Sequence, residues 1–151
     1  MESEQPNEAY AIFSKLSQES TVGYKVLSKF QVAAHYIEAK NFTAAIDAYN
    51  KLSDDTAIDA IYRDLAKLLT AVLSIESNTM SNKEVIDKLS SLTEGKSPWR
   101  FSALELTAFL MKKNGDIEKA KKIYQKLIVD PQTSSGIRQR SQAIMLNFPK
   151  D

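Results

Sequence analysis

Glu105 is the side chain whose surroundings demand an explanation. It stands in the segment Trp99–Lys113, which is apolar on nearly every side through Ala103, Leu104, Leu106, Ala108, Phe109, Leu110 and Met111. A carboxylate in such a place must find a partner or give up its charge. General acid–base chemistry would need a second titratable group beside it in a shaped pocket, whereas structural pairing needs only an arginine. His35, the single histidine, has Glu38 as its nearest acid and no second His or any Cys to complete a metal site. A solvated ring explains it better than catalysis. Asp54, Asp55 and Asp59 suggest a cation, but they have neither the glycine nor the spacing of a calcium loop. Capping by Asp55 and Thr56 accounts for them. The glycines at 23, 95, 115 and 136 never cluster, so no phosphate-cradling loop exists. The reading is no catalytic residue, no metal and no cofactor: the chain is not an enzyme.

The elements that must position these residues are helices. The chain of 151 residues suits one domain, and its 20 basic and 19 acidic residues leave a net charge of +1. That balance argues against nucleic acid and against a polybasic membrane surface. No run reaches the roughly 18 apolar residues of a spanning helix, and the acidic Met1-Glu2-Ser3-Glu4-Gln5 is no signal peptide. Asn7 caps a short helix to about Gln18, and Ser20 or Thr21 opens a long one with Val26, Phe30, Ala33 and Ile37 as its spine. Asp54-Asp55-Thr56 caps a third helix carrying Ile58, Leu65, Leu69 and Val72. Ser81 and Glu84 form a capping box. Ser97-Pro98 starts the helix that holds Glu105, and Ser134 or Ser135 caps the last one, to about Asn147. The fold class is all-α, with seven to eight helices in antiparallel pairs.

Two stretches repeat. Asn114-Gly115-Asp116-Ile117 leads into Ala120, Tyr124, Lys126 and Leu127; Asn41 leads into Ala45, Tyr49, Lys51 and Leu52 at the same spacing. Gly115 suits a left-handed helix end and Asp116 the following N-cap. The small Ala45 and Ala120 let a second helix approach closely. This pattern resembles the tetratricopeptide repeat (TPR), in which a small residue of the first helix packs on an alanine and an aromatic of the second. The resemblance places Ala33, Ala66 and Ala108 at the small first-helix position. The units fall at about 22–55, 56–93 and 97–130, followed by a capping helix at about 134–148, all within one domain, 1–151. The middle unit keeps only Leu65-Ala66 and a leucine-bearing return helix.

A second resemblance covers nearly the whole chain. Gly23-Tyr24-Lys25-Val26-Leu27, Arg63-Asp64-Leu65-Ala66, Pro98-Trp99-Arg100-Phe101-Ser102, Asn114-Gly115-Asp116 and Gly136-Ile137-Arg138-Gln139-Arg140 are similar to the bacterial TPR-like family related to the ancillary subunit of the Sec translocon. It implies a right-handed superhelix of hairpins acting by protein–protein contact on the periplasmic side of the inner membrane, in translocation or chaperone networks. Members carry an N-terminal membrane anchor, which this sequence lacks; either the anchor has been removed or this is a soluble relative. First helices of such units line a concave groove. The groove residues would be Leu27, Phe30, Ala34 and Ile37, then Arg63, Lys67 and Thr70, then Ser102, Glu105, Phe109 and Lys112. Arg63 is then the preferred partner of Glu105, with Arg100, Arg138 and Arg140 as competitors. The groove either takes a protein or peptide partner or is filled by the chain's own terminal helices. A scaffold working through homo-oligomers is the alternative function.

Overall fold

The computed structural model describes residues 21–149; the expected short helix 7–18 and the Ser20 cap lie outside them. Among the described residues the chain is all-α, with seven helices and no strand. They are α1 (Thr21–Glu38), α2 (Phe42–Asp54), α3 (Ala60–Glu76), α4 (Asn82–Thr93), α5 (Arg100–Lys113), α6 (Ile117–Val129) and α7 (Ser135–Leu146). The chain divides between Arg63 and Asp64 into two compact units. The first holds α1 and α2, which pack on each other. The second holds all but the first turn of α3, together with α4 to α7.

Among the described residues one turn recurs three times. The backbone goes left-handed at Lys40 (φ 57°), Asn78 (φ 54°) and Gly115 (φ 88°). Each time, that residue's N–H and the next one's close back on the helix they end. Lys40 and Asn41 donate to the carbonyls of Ile37 and Tyr36, Asn78 and Thr79 to those of Ile75 and Ser74, and Gly115 and Asp116 to those of Lys112 and Met111. This pairing is the Schellman ending, which satisfies carbonyls the helix would otherwise leave bare.

Counting from these turns sets a common register. Seven residues before each stands a buried alanine: Ala33, Ala71 and Ala108. The small position of the middle hairpin is therefore Ala71, not Ala66. The return helices start from Asn41, Ser81 and Asp116. Four, eight and eleven residues further on lie Ala45, Tyr49 and Leu52; Val85, Leu89 and Leu92; and Ala120, Tyr124 and Leu127, all buried. In the first and third hairpins the residue after the left-handed turn is itself the cap. In the middle one, Thr79 and Met80 intervene before Ser81, which hides the repeat from a fixed-period comparison.

The capping box is formed: Ser81 N–H donates to the Glu84 carboxylate at 2.7 Å, and Glu84 N–H donates to Ser81 Oγ at 3.3 Å. Ser134 caps α7 by accepting from Ile137 N–H. Two expected starts are displaced. Asp55 does not cap α3: its carboxylate accepts from Ala57 N–H within a turn, and the Asp59 carbonyl takes the first bonds of α3, from Tyr62 and Arg63. Ser97 holds the turn before α5 by accepting from Trp99 N–H, and the helix begins at Arg100.

In the second unit α5 serves two cores, which is why it is apolar nearly all round. Ala103 and Leu110 join Leu68, Ala71, Val85, Leu89 and Leu92. Leu104 and Ala108 join Ala120, Tyr124, Leu127, Ile137 and Phe148. A buried side chain of leucine size contributes about 2 kcal/mol to such a core.

Candidate interaction surface

On α1, Leu27 and Ile37 are half-buried and Ala34 is exposed. Phe30 is buried, with its ring 6.0 Å from that of Tyr49, so it belongs to the hairpin core rather than to a groove wall. Exposure on this helix falls instead on Tyr24, Val32 and His35. The His35 ring lies 6.5 Å from that of Tyr36. Asp55 pairs with Lys29 at 2.8 Å, and this hydrogen bond, with the one from Ala57 N–H, holds its carboxyl below the usual range. That geometry joins the end of α2 to α1, and among the described residues no cluster of His, Cys, Asp or Glu could hold a metal.

The Glu105 partner is Arg140, not Arg63. Arg140 Nε and Nη2 donate to Glu105 Oε1 and Oε2 at 2.7 and 3.0 Å, a two-pronged pair. Arg63 directs its Nε to the Ile58 carbonyl at 2.9 Å. The sequence could name both arginines, but the choice between them depends on where α7 packs. Lys67 pairs with Asp64 at 3.7 Å on its own helix. Thr70 is buried, with its hydroxyl unpartnered among the described residues. Counted from Ala71, the positions matching Phe30, Ala34 and Ile37 are Leu68, Val72 and Ile75, so Arg63, Lys67 and Thr70 are out of register with the other two hairpins.

On α5, Ser102 is half-buried, Phe109 is 47% exposed and Lys112 is exposed. Glu105 and Lys112 are both met by the chain's own C-terminal part: Arg140 of α7 holds Glu105, and the ring of Phe148 lies 5.4 Å from Lys112 Nζ. Self-filling thus reaches two of the four expected positions on this helix and leaves Phe109 open. Beneath them Tyr124 is fully buried, its ring 6.0 Å from that of Phe148 and its hydroxyl unpartnered among the described residues. Burial, helped by the negative charge of Glu105, pushes that hydroxyl up to about 12.

Sequence reasoning missed Phe148 and Arg140 as members of this surface. Phe148 lies beyond the last helical period, where no spacing rule reaches, and Arg140 stood behind Arg63 as one of three competitors because only the packing of α7 brings it to Glu105.

Residues 3–148 match the model of the family described as "Protein of unknown function (DUF2659)". The chain belongs to that family. No curated protein and no solved structure matches it. In this DUF2659 chain no described helix is long and apolar enough to cross a membrane.

Proposed function

We propose that this DUF2659 chain is a non-enzymatic protein–protein interaction domain. Its three hairpins are TPR-like units of a right-handed superhelix capped by α7, and it works outside the membrane in envelope protein translocation or chaperone networks. The observation that carries this reading is the shared register: Ala33 with Ala45, Ala71 with Val85 and Ala108 with Ala120, each set placed by the same left-handed turn. Small residues at matched heights allow helices to nest, and nested pairs of this kind suit holding other polypeptides. Exposed Ala34 and Phe109 are the first-helix positions left for a partner. Photo-crosslinkers placed at these two positions should trap discrete envelope polypeptides, while one at Lys83 on α4 should not. Equal labelling at all three, or none, would overturn the reading. Homo-oligomer formation is the second reading, favoured by Val129 and Leu146, which are 77% and 81% exposed.

A further inference from the structure

The outer face of α6, Met145 of α7 and the residues after α7 enclose a shallow pocket, and Lys112 at the end of α5 reaches the Phe148 ring beside it. Phe148 and Met145 form its floor, with Pro149 beside them, and Lys121, Lys122 and Glu118 stand around it. Lys112 Nζ and Lys121 Nζ lie 5.4 and 6.0 Å from the Phe148 ring centre. Lys121 is already engaged: its ammonium sits 3.3 Å from Glu118 Oε1 and donates to the Pro149 carbonyl at 3.5 Å. Lys112 and Lys122 are exposed. The stretch of sequence that supplies these lysines is lopsided in charge. Residues 112–126 hold six lysines against Asp116 and Glu118, a local net of +4 in a chain whose total is +1.

We propose that this pocket docks an acidic peptide segment of a partner protein, with one apolar side chain laid on Met145 and Pro149 above the buried Phe148 and flanking carboxylates on Lys112 and Lys122. The inference rests on reading the chain as a protein-binding domain, and it names a site and a ligand chemistry for that role. Charge complementarity selects the acidic partner. The concavity, with its aromatic floor, selects a peptide over a bilayer, because a flat surface would meet only the rim.

Fluorescence anisotropy on the full chain tests it. The probe is a labelled heptapeptide with one phenylalanine between acidic pairs; its analogues replace the acids by amides or the phenylalanine by alanine. Saturable binding of the first peptide is expected, with each analogue weaker by about tenfold and a clear loss on raising salt. Lys112→Gln with Lys122→Gln should weaken binding by about tenfold. Lys83→Gln with Lys88→Gln removes the same charge from α4 and should leave binding within about twofold. Binding indifferent to the acids or to the Lys112/Lys122 pair would overturn the proposal. So would binding to phosphatidylglycerol vesicles without binding to the peptide. Crosslinking at Ala34 and Phe109 alongside failure of every peptide would remove this pocket and leave the domain's role standing.

Discussion

Tyr124 and Lys40 show how individual side chains carry local cost. The Tyr124 hydroxyl is buried without a partner among the described residues, and an unsatisfied buried hydroxyl costs about 1–3 kcal/mol. Tyr124→Phe is therefore expected to raise stability by about 1 kcal/mol in urea denaturation. The ionisation has a definite sign. The folded-state value of about 12 lies above the ordinary 10.0, so the fold keeps the proton that the unfolded chain releases. Stability is intact below pH 10 and falls by roughly 2 kcal/mol as pH rises toward 12. Tyr124→Phe should flatten this part of the profile; an unchanged alkaline loss would contradict the assignment. Lys40 takes a left-handed conformation where Gly115 does so freely. Lys40→Gly should stabilise by about 0.5–1 kcal/mol. Gly115→Ala should destabilise by about 1 kcal/mol, from backbone strain alone, because an added Cβ meets nothing there. Thermal melts of the two variants should move in opposite directions.

Helix pairs depend on contacts that single residues can break. Arg140 joins α7 to α5 through Glu105, whose side chain is only 15% exposed. Arg140→Ala leaves that carboxylate without its two donors and should cost about 1–3 kcal/mol. Glu105→Gln combined with Arg140→Met should recover part of the loss, and a double-mutant cycle reads the coupling directly. Ala120 is fully buried in the core where α5, α6 and α7 meet. Ala120→Leu should cost about 2–3 kcal/mol by overpacking, seen as a lower melting temperature, whereas Lys119→Leu one residue earlier on the exposed side should change little. The Asp55–Lys29 bond joins α2 to α1, and the lowered carboxyl value sets its direction with pH. Its contribution is present above the unfolded carboxylate range and disappears as pH falls through the folded value. Lys29→Met should remove that acid sensitivity in denaturation scans below about pH 4.

The chain as a whole joins a nearly neutral total to a strongly basic stretch over residues 112–126. The proposed reading is a monomer that meets other polypeptides, so light scattering should give 16.9 kDa for this chain at every concentration tested. A mass that climbs with concentration would favour the homo-oligomer instead. Helix content, the capping box at Ser81, the buried Ala45 and Ala120 and the turn at Gly115 were legible in the sequence, because each depends on residues within one or two helical turns of each other. The turns at Lys40 and Asn78 were not: lysine gives no sign of a left-handed backbone, and asparagine, which takes it more readily, does so at too few of its positions to mark one. The two residues before Ser81 then shifted the middle hairpin out of the expected register. Which arginine meets Glu105, whether Phe30 faces inward, and how Phe148 gathers lysines were decided only in three dimensions. Those choices turn on which helices lie side by side, and the energy that settles them is shared by residues far apart in the chain.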